Sequence, residues 1–260
     1  MLKAKNKLDN KNYISWNEQD YKFIIKHKRE FICPSCKAEV EFVDGIEKIK
    51  HFRHKTLSEC EWEPESQNHL TMKKYIKEFL NIPDEDIEVD LNWAKPDLVF
   101  RQKEFKGFIA IEVQHSKITI RKFLERTKNY TDHKIPVLWI FDGSMLDTNE
   151  KEQDIPVLLR EAHDIYNGRV YMFIENKIVP IHFNKMYRWI DEYDDYTTGQ
   201  VFGGYERAYK RKKAIMVGEN IPDDLAGKQI YHFYTSWKGK FPSGYLLAKF
   251  YDGNIWSRLK

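Results

Sequence analysis

The sequence predicts a mixed α/β domain preceded by a short segment rich in cysteine and histidine. Three observations predict this. All three cysteines, Cys33, Cys36 and Cys60, share one stretch with His51 and His54. Apolar residues at Leu70, Met72, Tyr75, Ile76, Phe79 and Leu80 recur at close to helical spacing. After them comes the order strand, strand, strand, helix, strand, which describes a sheet with helices packed on it.

Taken in order, residues 1 to about 32 read as a short β-rich lead, with residues 21–25 and 31–32 as supporting strands. Apolar periodicity is poor across residues 33–60, so something other than a hydrophobic core is expected to organise that segment. Asp44-Gly45, between residues 40–43 and 46–49, reads as a hairpin turn. Pro64 opens a helix over residues 65–80, which Asn81-Ile82-Pro83 ends. Residues 87–91, 97–100 and 108–114 are strand-like. Residues 119–131 form a second helix with Ile120, Phe123, Leu124 and Thr127 on one side. The almost wholly apolar run 137–141 suits a central strand buried on both faces. Residues 170–174 and 178–183, joined by Glu175-Asn176-Lys177, read as a further hairpin. Gly203-Gly204 suggests a boundary, with residues 205–213 beyond it as a basic, aromatic helix. The aromatic tail 228–260 suits core or a partner surface. The expected divisions are a metal-binding β module over 1–63, an α/β core over 64–184 and a basic, aromatic helical extension over 185–260.

Composition sets the class. Of 260 residues, 42% are hydrophobic and 32% charged, which supports a packed core and argues against disorder. A net charge of +3 is too near balance to signal nucleic-acid binding, so any such footprint must come from clustering. No stretch reaches the ~18–20 apolar residues of a membrane span, and the N-terminus lacks the apolar run of a secretory signal. Three cysteines cannot all pair with one another. Together these features lead us to expect a cytoplasmic protein with no membrane partner.

Cys33-Pro34-Ser35-Cys36 places two thiolates where they can grip one ion from a tight knuckle. Cys33, Cys36, His54 and Cys60 would complete a tetrahedral zinc site, with His51 as the competing nitrogen ligand. A closed set of four ligands is structural, so this Zn²⁺ would hold the fold.

The second cluster carries the chemistry. Pro96-Asp97 stands at the start of a strand, and Glu112-Val113-Gln114 ends an otherwise apolar one. Strand alternation sends Glu112 and Gln114 to one face and Ile109, Ile111 and Val113 to the other, into the core. A polar pair on so hydrophobic a strand costs free energy unless it is satisfied. A hard divalent cation such as Mg²⁺ would satisfy it. Glu65, His69 and Lys73, spaced i, i+4 and i+8, form one helical stripe that could overhang these groups.

Pro96-Asp97 with Glu112-Val113-Gln114 resembles the PD-(D/E)xK nuclease signature, with Gln114 where lysine usually stands. The longer arrangement resembles the competence protein CoiA-like family: Cys33-Pro34-Ser35-Cys36, His51-Phe52-Arg53-His54, Glu65-Ser66 with His69 and Lys73, residues 111–116, Leu124-Glu125-Arg126 with Tyr130, and residues 137–140. The resemblance covers roughly residues 30–142. It implies a restriction-endonuclease-like mixed sheet flanked by helices, cutting DNA with Mg²⁺ or Mn²⁺. By position, Asp97 and Glu112 would bind the metal with the Val113 carbonyl, and Glu65 would match the first-helix acid. A neutral amide takes up no proton at pH 7, so Gln114 would at most orient water. Lys73 is the candidate replacement cation.

For DNA contact, Arg126 and Tyr130 share a helical face, and Lys210, Arg211, Lys212 and Lys213 form the densest basic run; a solvated face is the competing reading of each. The implied function is DNA processing in competence, recombination or defence, with protein partners through the C-terminal segment. The alternatives are a non-catalytic DNA-binding protein or a zinc-organised adaptor.

Overall fold

The computed structural model describes residues 1–45, 49–56, 65–101, 108–147, 149–166, 170–217, 234–235 and 245–246. Cys60, most of the expected second hairpin strand at 46–49, and nearly all of the 228–260 tail lie outside them. The fold is mixed α/β, and the described residues divide into two compact units. One comprises Met1–Lys117 and Glu125–Ile140; the other includes Ile118–Leu124 and residues 141–217.

The first unit begins with β1 (Lys3–Asn6), β2 (Asn12–Ile14), α1 (Glu18–Lys26) and β3 (Phe31–Ile32), with β1 central in the antiparallel sheet β2-β1-β3. Helix α1 replaces the strand expected at residues 21–25. Asn17 caps it by accepting from the Gln19 and Asp20 amides, and Glu18 and Asp20 sit favourably in its first turn. Its Ile24 is fully buried, while Phe23 stacks on Tyr13 with ring centroids 4.4 Å apart. Strand β4 (Val40–Val43) pairs with β5 (His51–His54) in the register Val40↔His54 to Val43↔His51. Among the described residues the partner of the first hairpin strand is 51–54. A hydrophobic core does organise this region, contrary to expectation. Met1, Ala4, Ile24, Phe31, Cys33, Val40 and Phe52 form one buried cluster, because each short element contributes only one or two apolar side chains and no periodicity accumulates. Phe52 lies 5.1 Å from Phe31 and 5.3 Å from Phe42 between ring centroids. Phe52→Ala is expected to cost about 3–5 kcal/mol, read as a lowered urea midpoint; an unchanged midpoint would show that this cluster does not hold the module.

Helix α2 (Gln67–Phe79) is capped by Ser66, whose side chain accepts from the His69 amide. Leu70, Met72 and Ile76 are buried, as the spacing predicts. The strand expected at 87–91 does not form: Ile87 makes a single bridge to Leu98, and Glu88 adopts φ 47°. That left-handed turn breaks the extended run and accompanies burial of the Glu88 carboxylate. Strand β6 (Leu98–Phe100) pairs antiparallel with β7 (Ile109–Gln114), and β8 (Val137–Asp142) follows in the order β6-β7-β8. All six β7 residues are buried, so Glu112 and Gln114 occupy a covered face rather than an open one. Helix α3 (Ile120–Asp132) buries Phe123, Thr127 and Tyr130 at i, i+4 and i+7.

The second unit carries β9 (Glu152–Asp154), α4 (Val157–Ile165), β10 (Val170–Ile174), β11 (Lys177–Ile190), the small ladder of β12 (Tyr193–Asp195) and β13 (Gln200–Phe202), and β14 (Tyr205–Val217). Its strands run in the order β10-β11-β14-β9. Glu175 and Asn176, both at positive φ, turn β10 into β11 as the hairpin signal predicts. Residues 205–213 are strand, not helix. They pair with β11 from Ile190↔Tyr205 to Ile181↔Val217, so the expected helical extension does not exist there. Tyrosine and the β-branched Ile215 and Val217 suit a strand, and the long β11 edge supplies the partner. Gly203 and Gly204, at φ 98° and 69°, lead the chain into β14 rather than mark a boundary. The described strands β15 (Tyr234–Thr235) and β16 (Tyr245–Leu246) pair with each other.

Candidate functional site

Helix α2 and the start of β6 build a buried cluster of charges in the first unit. The sequence spaces Glu65, His69 and Lys73 along one stripe, and the sheet brings Asp97 beneath it. Lys73 is fully buried, with Nζ 2.6 Å from Glu65, 2.6 Å from Glu88 and 3.1 Å from Asp97. Burial opposes its charge, but these three carboxylates outweigh that effect and hold its pKa well above the usual lysine value. Burial likewise works to raise Glu65 and Asp97, yet the Lys73 ammonium prevails and holds both well below the usual carboxylate range. His69 Nδ1 lies 3.3 Å from Glu65 and its Nε2 3.5 Å from Asp97. Against its burial, Asp97 and then Glu65 raise its pKa to about 9.

The Val113 amide donates to Asp97 Oδ2 at 2.8 Å, which fixes Asp97 against the strand that carries Glu112. Glu112 is held from the other side: Tyr130 donates to its Oε1 at 2.7 Å, and Arg126 donates to its Oε2. Burial and the nearby Asp97 charge raise the Glu112 pKa, with Arg126 opposing them. Arg126 also lies 5.1 Å over the Trp139 ring, and Trp139 donates to Thr127 at 3.1 Å.

The structure thus gathers Glu65, Lys73 and Asp97, with Glu112 within the Asp97 field but gripped by α3. Three sequence expectations change. Tyr130 is 1% exposed and pinned to Glu112, so it is no surface for DNA; packing turned the shared helical face inward. Lys73 is enclosed by acids that neutralise it, so it balances the cluster's charge instead of offering a free cation to phosphate. The run Lys210–Lys213 lies on strand β14 and not on the expected helix. Arg126 stays partly exposed, but its charge is paired with Glu112. Gln114 is buried and donates to the Ser116 carbonyl at 2.6 Å.

Glu88 was missed in the sequence, where it looked like one residue of a strand. Its carboxylate accepts from the Leu2 amide at 3.0 Å and the Lys3 amide at 3.1 Å while holding Lys73, which ties β1 to the site. The sequence places His69 in the helical stripe and in the family resemblance but assigns it no ligand role; its i, i+4 spacing to Glu65 is the available signal.

Two groups of donors have the geometry of ion sites. Glu65, His69 and Asp97 each offer an atom within 4.8 Å of the others. The buried Nε2 of His69 makes no hydrogen bond to any described residue. Two carboxylates and an imidazole with an unsatisfied nitrogen fit a divalent cation. Cys33, Cys36 and His54 form the other group, also within 4.8 Å, with Cys36 Sγ 3.3 Å from His54 Nε2. Lys37 at φ 63° closes the thiol knuckle. Two thiolates and an imidazole fit zinc. The competing His51 donates from Nδ1 to the Ile49 carbonyl at 2.8 Å and stays outside this group. Cys60 lies outside the described residues.

Comparison with known proteins places these features. The family model for the competence protein CoiA nuclease-like domain matches residues 65–181, and that for the competence protein CoiA N-terminal domain matches residues 14–63. Competence protein CoiA of Bacillus subtilis (strain 168) is 31% identical over 125 residues, which are 46% of this chain and 33% of the relative. The match therefore spans about a third of that protein's length. No solved structure matches. No helix among the described residues is long and apolar enough to cross a membrane. With two adjacent domain models matched over more than half of its length, and a thiol–imidazole group and an acidic cluster in the segments they cover, the chain belongs to the CoiA-like competence protein family.

Proposed function

We propose that the protein is a metal-dependent DNA nuclease that hydrolyses phosphodiester bonds, acting in DNA processing during competence or recombination, or in defence. The observation that carries this reading is the meeting of Glu65, His69 and Asp97 beside the strand of Glu112. Asp97, Glu65 and His69 would hold the cation, whereas sequence reasoning assigned it to Asp97, Glu112 and the Val113 carbonyl. A Mg²⁺ or Mn²⁺ ion there supplies Lewis acidity to water and phosphate.

The remaining work falls to the chain. Lys73 keeps Glu65 and Asp97 ionised at neutral pH, and His69, raised to about 9 by those acids, would give up its proton to a bound cation. Arg126 and Tyr130 orient Glu112, whose raised pKa suits it to take and return a proton. Gln114 donates to the Ser116 carbonyl and, as a neutral amide, takes up no proton.

Glu112→Gln tests this directly. The amide conserves volume, and Tyr130 can still donate to it, so folding should survive. Digestion of plasmid, linear and single-stranded DNA with Mg²⁺ or Mn²⁺ should fall roughly 10²–10³-fold, the scale of removing one preorganised electrostatic contact, while DNA affinity in EDTA persists. Equal cutting by variant and wild type would refute the assignment. The second reading, a non-catalytic DNA-binding protein, draws support from the full engagement of Glu112 by Arg126 and Tyr130. It predicts salt-dependent binding and no wild-type cleavage with either metal.

A further inference from the structure

Strands β11 and β14 pair outward as a two-stranded ribbon whose residues 185–190 and 205–208 are mostly exposed on both faces. Cross-strand partners lie side by side on one face, and opposite charges normally meet there because like charges repel. This ribbon does the reverse. Arg188 stands directly opposite Arg207, and Lys185 opposite Lys213. Among the described residues, neither Arg188 nor Arg207 makes an ion pair, and both are exposed. Cross-strand pairing places Tyr205 and Arg207 on one face of β14, with Ile190 and Arg188 beside them, and Tyr209 follows at the start of a register irregularity. Arg188 lies 5.6 Å from the Tyr209 ring centroid, which confirms the shared face. Tyr205 is 51% exposed. The other face differs in chemistry: it carries Tyr187, Trp189 and Glu206.

Two guanidiniums on cross-strand neighbours, one of them over the Tyr209 ring, have no carboxylate partner among the described residues, and a phosphate between them would offset their repulsion. The exposed Tyr205 and the half-buried Tyr209 flank that position along β14. An exposed tyrosine ring accepts the face of an unpaired base, while duplex DNA keeps those faces stacked inside. The acidic residues Asp191, Glu192, Asp194 and Asp195 lie toward the ribbon tip and confine an anionic track to its shaft.

We infer that the Arg188–Arg207 face of the β11–β14 ribbon binds single-stranded DNA, with the phosphate backbone on the arginines and bases stacked on Tyr205 and Tyr209. This deepens the DNA reading of the protein by naming the strandedness of its ligand. It is tested without cleavage, so the two can fail separately.

The test is fluorescence anisotropy of a labelled thymidine oligonucleotide and of a blunt duplex of equal length, with the full chain in EDTA at several salt concentrations. Arg188→Ala with Arg207→Ala should weaken single-strand binding about tenfold or more and flatten its salt dependence by roughly 1.4 in log–log slope, the loss of two phosphate contacts. Tyr205→Ala with Tyr209→Ala should weaken single-strand binding about tenfold and leave duplex binding unchanged. Tyr187→Ala, on the opposite face, should change neither, and unchanged thermal melting will show that each variant folds. Unaltered single-strand affinity in the arginine variant overturns the inference. So does an equal loss of duplex binding in the tyrosine variant.

Discussion

Replacing Lys73 with methionine is expected to destabilise the protein by roughly 3–5 kcal/mol, the scale of removing one partner from a buried ionic network. Lys73 is the shared cation of Glu65, Glu88 and Asp97, and all of them are largely withdrawn from water. Methionine matches its length but leaves these acids facing one another without it. They must then take up protons or open the site, and either route lowers stability. Because a divalent cation binds only the folded donor set, Mn²⁺ should return part of the loss. Adding Glu88→Gln to Lys73→Met should also recover some stability by removing one uncompensated charge, a non-additivity that a double-mutant cycle detects. Urea denaturation of the single and double variants, with Mn²⁺ and with EDTA, measures all three effects. A Lys73→Met midpoint equal to that of wild type would mean that the ammonium does not organise this cluster.

The second large effect concerns the thiol–imidazole group. Structural zinc contributes apparent binding free energies of about 10–16 kcal/mol at neutral pH in small domains. Cys33→Ser with Cys36→Ser removes both thiolates of the knuckle and should abolish bound zinc, read by elemental analysis of purified protein. The hydrophobic cluster around Phe31 and Phe52 loses only the Cys33 thiol, so the module should loosen locally rather than vanish. Hydrogen exchange should accelerate at amides of β3, β4 and β5, and less at β7 and β8. Zinc retained in full by the double variant would show that these cysteines are not its ligands.

Much of the core was legible from one-dimensional patterns. The α2 face, the apolar β8 run and the Glu175-Asn176 turn follow from local periodicity and turn chemistry, which neighbouring residues set. The stripe of Glu65, His69 and Lys73 was legible for the same reason. The α1 segment misled because Tyr21, Phe23, Ile24 and Ile25 suit a strand, while the deciding group was the Asn17 cap just before them. Residues 205–213 misled in the opposite direction. Their charges suited a helix, but the unpaired β11 edge claimed them, and such pairing depends on a segment far away in sequence.

The sequence by itself determined which donors this protein owns: three thiols with two imidazoles in one segment, and carboxylates with a lysine and a histidine in another. Only the tertiary structure decided how they are used. Burial set Lys73 among three acids, turned Tyr130 inward onto Glu112, chose His54 over His51 and recruited Glu88 from what looked like a plain strand. The reason is physical. Chemical identity is a local property of the chain, but the partner that neutralises or orients a charge is set by long-range packing, where water is excluded and each polar group must find its counterpart.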